Sequence, residues 1–179
     1  FRGCTALREV KLPDDVRVIG EFAFVNCAAL ITVSLSQVVQ IDEGAFKGCT
    51  SLAELTLDNV TAIGLDAFYG CTSLQTLKIP QCTRFDNYIV TGCSSLTRIE
   101  ATAAGDFVGI DNANSIERKA VFQNKFHSGE EAFNSANCDL VLNVDKKEDG
   151  SAVPKVSNGN GWTVAANASP MIWKSIGFQ

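Results

Sequence analysis

The stretch "AFKGCTSL" at residues 45–52 returns almost unchanged as "AFYGCTSL" at residues 67–74. Looser copies occupy residues 1–7, 23–30 and 89–96, and each copy carries one cysteine at the same place. The steps between these cysteines are 23, 22, 22 and 22 residues. Because a fixed period is the signature of a repeat architecture, the chain is predicted to stack copies of one short coil. The recurring cysteines are Cys4, Cys27, Cys49, Cys71 and Cys93.

Apolar residues keep the same period as the cysteines. Three residues after Cys49 comes Leu52, then Leu55 and Leu57, and the other copies place apolar residues at the corresponding sites. This spacing predicts a short strand with one buried face. One short coil cannot bury that face alone, whereas stacked coils bury it continuously in a parallel sheet with strands about 4.8 Å apart.

The segment between successive strands must return the chain to its starting side. Its "GAF" or "DAF" motif predicts a turn of helix or irregular coil, in which a phenylalanine closes each coil. Glycine adopts backbone conformations that other residues avoid, so glycines in this segment suit tight bends. These residues are Gly20, Gly44 and Gly64, with the closing phenylalanines Phe24, Phe46 and Phe68.

Seven cysteines admit three interpretations. An odd number at equal spacing disfavours a disulfide framework, and stacked residues about 4.8 Å apart exceed the usual Cβ separation of a bridge. A zinc site is disfavoured because the chain has no C-x-x-C pair and a single histidine, His127. We therefore predict a ladder of buried free thiols, in which cysteine acts as a small apolar residue. Cys82 replaces the valine of neighbouring copies, and Cys138 lies about two periods after Cys93.

The repeat pattern "AFxGCTSLxxLxLxxVxxIG" resembles the BspA-like leucine-rich repeats over residues 1–104. Such repeats are abundant in surface proteins of gut and oral Bacteroides-type bacteria. The resemblance implies a leucine-rich-repeat solenoid of the α/β class, mostly β. It would consist of stacked coils of 22–23 residues, a parallel sheet and a C-terminal cap. It also implies an extracellular or cell-surface location, although this chain shows no targeting signal. The chain opens inside a repeat, so we expect further N-terminal sequence.

The sequence divides into three parts. Residues 1–104 hold about five coils, and residues 105–144 hold an irregular insertion and a last repeat-like coil. The insertion has a helix-like segment from Ser115 to Phe126. In the last coil the alternating Leu140, Leu142 and Val144 predict a strand.

Residues 145–179 form the third part, a C-terminal capping segment that begins with a charged, glycine-rich loop. Its Val153–Pro154 pair and its end, with Trp173, Ile176 and Phe178, resemble the closing segment of BspA-like proteins. We interpret Trp162 and Trp173 as a hydrophobic lid on the last coil. The alternative is an aromatic platform for sugars or a protein partner.

Composition argues against several classes of function. The net charge is −5 without a basic patch, which disfavours nucleic-acid binding. No run of about 18 apolar residues predicts a membrane span. His127 has no evident nucleophile partner, and adjacent carboxylates on loops are usually solvated, so we predict no enzyme, no metal and no cofactor. The carboxylate pairs considered are Asp14–Asp15, Asp42–Glu43 and Glu130–Glu131.

The outward-pointing strand positions remain as the candidate binding surface. They form two short polar columns of mixed charge on one face of the sheet, without an aromatic residue. Repeat proteins commonly bind partners through such an array. We therefore predict a non-enzymatic cell-surface binding or adhesion module for a host or cell-surface protein. The alternative is a glycan-binding accessory surface protein. The ten positions are Glu9, Lys11, Thr32, Ser34, Glu54, Thr56, Thr76, Lys78, Arg98 and Glu100.

Overall fold

The computed structural model describes residues 1–102, 138–143 and 175–178. Within these ranges the chain forms eleven short β-strands and no helix. Seven of the strands form the front side of the solenoid. They are β1 (Glu9–Val10), β3 (Thr32–Val33), β5 (Glu54–Thr56), β7 (Thr76–Ile79), β9 (Arg98–Thr102), β10 (Asp139–Asn143) and β11 (Ser175–Phe178).

The other four strands form a second sheet, which we call the back sheet. Each belongs to the same coil as the front strand before it, and the four pair in the order β2-β4-β6-β8. The fold is thus a parallel-strand solenoid, as the sequence predicts. These strands are β2 (Val18–Ile19), β4 (Gln40–Ile41), β6 (Ala62–Ile63) and β8 (Arg84–Phe85).

Every pairing of strands is parallel, and the register follows the repeat. Leu55 lies opposite Leu77, and Leu77 lies opposite Ile99, so equivalent residues of successive coils form columns. On the front side β1 pairs only with β3, and a separate five-stranded sheet runs from β5 through β7, β9 and β10 to β11. The back sheet has no such interruption in its four strands and joins the first four coils.

The last two front strands come from beyond the regular repeats. β10 pairs with β9 and places Leu140 opposite Ile99, which confirms the strand predicted there. β11 pairs with β10 and places Ile176 opposite Leu140, so the end of the chain continues the sheet. The predicted helix and His127 lie outside the described residues, as do Val153–Pro154, Trp162 and Trp173. The three-part division and the capping role of the tail stay predictions.

The core is a set of stacked columns. The rings of Phe1, Phe24, Phe46 and Phe68 stack with centroids 5.3, 5.2 and 5.9 Å apart. Leucines of the L-x-x-L-x-L pattern, such as Leu52, belong to the same core cluster; they are buried from the second copy onward and partly buried in the first. Each coil therefore covers the apolar side of its neighbour, which is the source of stability expected for a solenoid.

The return segments are turns within the described residues, not helices. The segments that precede Cys27, Cys49, Cys71 and Cys93 each contain two residues in the left-handed backbone region. In the segment before Cys49 the first of these is Gly44, with φ 56°. Gly64 serves a different purpose, because a Cβ there would lie 2.6 Å from the amide nitrogen of Glu43 in the preceding coil. The expected bend glycines therefore have different roles, and Gly20 adopts no left-handed conformation.

Candidate functional site

The ten predicted front-face residues lie in two columns, as the alternation of side chains along a strand requires. Glu54, Thr76 and Arg98 are in register in one column, and Thr56, Lys78 and Glu100 in the other. The six positions in the first three coils are exposed, whereas the four in the next two coils are partly buried. We call these ten residues the front face, and their role in binding stays a prediction.

Acidic and basic residues are mixed on the front face. Arg98 Nε lies 2.7 Å from Glu100 Oε1, and the two side chains are 36% and 22% exposed. A pair this exposed contributes only about 0–1 kcal/mol to stability. Lys78 lies beside Glu100 on the neighbouring strand. With three acidic and three basic residues, the ten positions carry no formal net charge.

The shape of the front face suits a broad partner better than a small molecule. Its depression, between β5 and β9, has a volume of about 160 Å³, whereas small-molecule sites typically have about 300–1,000 Å³. β10 and β11 lengthen the sheet and place Asp139 and Ser175 in register with Arg98. Seven strands of about four residues cover roughly 440 Å², where a standard interface needs about 800 Å² from each partner. The area of this side of the solenoid alone is therefore smaller than that of a standard interface.

The repeated cysteines form a second ordered feature, inside the core. Cys49 Sγ donates a hydrogen bond to the carbonyl oxygen of Phe24, 3.1 Å away in the preceding coil. The same bond, at 3.1–3.2 Å, joins Cys27 to Phe1, Cys71 to Phe46 and Cys93 to Phe68. Each thiol thus links its coil to the one before it through a carbonyl group.

All seven cysteines are free thiols, and six are buried. Cys82 and Cys138 are fully buried, like the ladder residues. Cys4 differs from the expected ladder, because it is exposed. Among the described residues its sulfur has no hydrogen bond of the kind that the other four ladder thiols make.

Burial controls the acidity of the ladder thiols. Removal from water raises the pKa of Cys49 and of Cys93 to about 12. The same cause raises the pKa of Cys71 well above 9.0 and also raises that of Cys27. Because thiolates rather than thiols are nucleophiles, these four side chains are unreactive at neutral pH.

Replacing Cys49 by serine or alanine tests the hydrogen bond of the ladder. From the sequence alone, a buried serine hydroxyl would lack an assured partner, but the structure supplies the carbonyl oxygen of Phe24. We expect Cys49→Ser to lower the free energy of unfolding by about 1 kcal/mol and Cys49→Ala by about 2 kcal/mol, since alanine loses both donor and volume. Urea unfolding measures both variants, with exposed Cys4→Ser as the unaffected control. A larger loss for serine than for alanine would mean that the thiol acts only as apolar filler.

The described residues give no support to a catalytic or metal site. Among them, no three His, Cys, Asp or Glu side chains come close enough to hold a metal ion. Asp14 and Asp15 are exposed on the turn between β1 and β2, and Glu43 is exposed beside a partly buried Asp42. Glu130–Glu131 lies outside the described residues.

A polar cluster on the return turns has no counterpart in the sequence-based predictions. Lys47 Nζ lies 2.9 Å from Asp66 Oδ2 and 4.3 Å from the ring centroid of Tyr69. The three residues come from neighbouring coils, 19 and 22 residues apart. The sequence does contain a signal for this cluster. Lys47 and Tyr69 are one repeat period apart, and residues one period apart lie side by side on neighbouring coils.

The parallel two-sided solenoid and its repeating apolar columns define a leucine-rich-repeat protein. The chain matches the BspA type leucine rich repeat region, in six copies, over residues 1–97, and it belongs to that family. Leucine-rich-repeat proteins generally mediate protein interaction or adhesion and are typically non-enzymatic binding modules, and those of the BspA type are often associated with surfaces. Among the described residues, no helix has the length and apolar character needed to cross a membrane.

Two solved structures resemble this chain. One is the leucine-rich-repeat protein TpLRR of T. pallidum, at 32% identity and a TM-score of 0.51, covering 56% of this chain and 48% of that one. The other is a leucine-rich-repeat protein of Bacteroides ovatus, at 31% identity and a TM-score of 0.39, covering 56% of this chain and 33% of that one. The match thus spans about half the length of the T. pallidum protein. No curated protein matches.

Proposed function

We propose that the protein is a non-enzymatic binding or adhesion module on a bacterial cell surface, which engages a host or cell-surface protein through its front face. The observation that carries this proposal is the register of two polar columns across successive strands. A rigid parallel sheet holds these side chains at a constant spacing, so a partner meets a preorganised surface and little entropy is lost on binding.

The balance of charges on the front face favours a protein partner. Its acidic and basic residues stand side by side, and such mixed patterns provide specificity by electrostatic complementarity. The front face contains no aromatic ring on which a sugar could stack. The glycan-binding alternative rests on Trp162 and Trp173, which lie outside the described residues.

Adhesion of protein-coated beads to host epithelial cells tests the front face. The double variant Glu54→Lys/Lys78→Glu exchanges two charges of the front face without changing the net charge. We expect it to lower bead adhesion about tenfold or more, since reversed charges would face like charges of the partner, which costs several kcal/mol. The matched control Arg8→Glu/Asp15→Lys exchanges two exposed charges outside the front face and should leave adhesion unchanged.

Treatment of the cells separates the two classes of partner. Trypsin should abolish adhesion if the partner is a protein, whereas periodate should abolish it if the partner is a glycan. Adhesion that survives trypsin but not periodate would replace the proposed protein partner by the glycan alternative. Equal adhesion of the front-face variant and the unmodified chain would remove the front face from the interface.

A further inference from the structure

The back sheet carries a groove that the front-face proposal does not use. It has a volume of about 720 Å³ and lies where β4, β6 and β8 end and the return turns begin. Ile41, Ile63 and Phe85 end these strands and bury their side chains in the core. The groove is within the size range of about 300–1,000 Å³ that is typical of ligand sites.

The groove is shaped by the difference between neighbouring coils. Gly64 and Leu65 stand in the third coil where the second coil has Asp42 and Glu43. Gly64 has no side chain, and its backbone packs directly on the second coil, where a Cβ would lie 2.6 Å from the Glu43 amide nitrogen. The third coil therefore contributes no charged side chain to the groove and forms an uncharged trough. The second coil lines one side of it, and Asp86 of the fourth coil lines the other.

The charges that line the groove are mostly negative. Four carboxylates line it, against the single guanidinium of Arg84. Within the described part of the chain, the ion pairs lie elsewhere, at Lys47–Asp66 and Arg98–Glu100. The front face is neutral by comparison, so this groove holds most of the excess negative charge of the described coils. The four carboxylates are those of Glu21, Asp42, Glu43 and Asp86.

The spacing of the carboxylates indicates what could occupy the trough. Asp42 and Asp86 are equivalent residues two coils apart, a separation of about 9.6 Å at the usual strand spacing. An extended peptide lying along the trough directs successive side chains to opposite sides. Two consecutive basic residues would therefore reach opposite rims of the groove. A single metal ion does not fit this arrangement, because no three acidic groups among the described residues converge.

We propose that the back groove docks an extended segment of a partner protein that contains consecutive lysine and arginine residues. The four carboxylates attract the segment, and the trough over Gly64 accepts its backbone. Arg84 stands in the same coil as Asp86 and offsets part of its charge, so the attraction is strongest at the rim formed by Asp42 and Glu43. The carboxylates of the rims are exposed to solvent, so salt screens their attraction for the basic segment. Binding should therefore weaken as the ionic strength rises and the Debye length falls below about 10 Å. This surface is separate from the front face, so either proposal can fail without the other.

Fluorescence anisotropy with a labelled hexapeptide of alternating lysine and arginine tests the groove. The chain should bind this peptide at about 0.01 M ionic strength and more weakly at about 0.15 M, and should not bind a hexapeptide of glutamate. The variant Glu43→Gln/Asp86→Asn removes one exposed charge from each rim. We expect it to weaken binding about tenfold or more at the lower ionic strength.

The control variant Asp14→Asn/Asp15→Asn removes the same number of charges from an exposed turn away from the groove. It should change the affinity by less than about twofold, since long-range attraction from two distant charges is screened. Similar weakening in both variants would show that the peptide responds only to net charge. Undiminished binding by the groove variant, or no binding by the unmodified chain, would also overturn the proposal.

Discussion

Between about pH 9 and pH 11 the folded chain is expected to lose several kcal/mol of stability. The buried ladder thiols keep their protons well above the ordinary pKa of 9.0, and the pKa values of Cys49 and Cys93 rise to about 12. In the unfolded chain the same thiols lose their protons near pH 9. The folded state therefore binds more protons in this window, and the free energy of unfolding falls as pH rises. Below about pH 9 both states are protonated and the stabilisation is complete.

The size of this loss follows from the number of thiols. Each buried thiol lowers the free energy of unfolding by about 1 kcal/mol for every pH unit in the window, since one pKa unit corresponds to about 1.4 kcal/mol. Cys71 is fully buried in the middle of the ladder, and its pKa is raised well above 9.0. Cys49 and Cys93 together should therefore account for a loss of several kcal/mol, and Cys71 acts in the same direction.

Urea unfolding in the presence of a reductant, at several pH values from about 8 to 11, measures this effect. Cys71→Ser provides the matched comparison, because its hydroxyl does not titrate in this range. Its stability should start lower at pH 8 but fall less steeply, by the equivalent of one proton. A free energy of unfolding that stays constant up to pH 11, or equal slopes for the two chains, would show that the ladder thiols are accessible to water.

The regular part of the fold follows from the sequence because one period governs every column. Leu55 and Leu77 occupy equivalent sites in their repeats, and the structure pairs them on neighbouring strands. The strand at Leu140 could also be predicted, since its alternating pattern remains after an irregular insertion. The apolar face of one coil is buried only if the next coil stacks on it one repeat period later. The period of the sequence therefore determines the architecture, and single substitutions within a repeat matter little to it.

Features that depend on one atom of a neighbouring coil were harder to predict. Burial of Cys49 follows from its column, but its bond to the Phe24 carbonyl depends on the path of the preceding turn. Phe22 and Tyr88 adopt left-handed conformations with φ 53° and 64°, although neither residue type favours this region. Gly44 and Asp66 occupy the equivalent site, so position in the coil outweighs residue preference there. The stack of turns imposes this conformation on whichever residue stands at that place.

The front face and the back groove also differ in how far the sequence predicts them. Alternation along a strand predicts which front-face residues point outward, because it is a local property of β-structure. The back groove arises from the contrast between Gly64 and Asp42 at one site of the repeat. The repeated columns of the sequence do not reveal such a contrast, because the informative residues are those that differ from the repeat pattern. The departures from periodicity, more than the periodicity itself, identify what distinguishes this solenoid.

Phe46→Ala is expected to lower the free energy of unfolding by about 3–5 kcal/mol, the usual cost of removing a buried phenylalanine. The ring of Phe46 is fully buried and lies between those of Phe24 and Phe68, at centroid distances of 5.2 and 5.9 Å. Alanine would leave a cavity across two coil interfaces at once, since a solenoid is stabilised mainly by contacts between nearest neighbours. Phe46→Leu, which keeps much of the volume, should cost less than half as much.

Phe1→Ala provides the control, at an exposed ring of the same stack. Phe1 stacks on Phe24 at 5.3 Å but is 63% exposed, so its removal should cost less than about 1 kcal/mol. Chemical denaturation compares the three variants, and Phe46→Leu still provides a measurement if Phe46→Ala does not fold. Comparable losses for Phe1→Ala and Phe46→Ala would mean that the rings contribute equally wherever they stand. The difference between an exposed ring and a buried ring is the direct test that burial by two neighbouring coils, and not stacking alone, stabilises the solenoid.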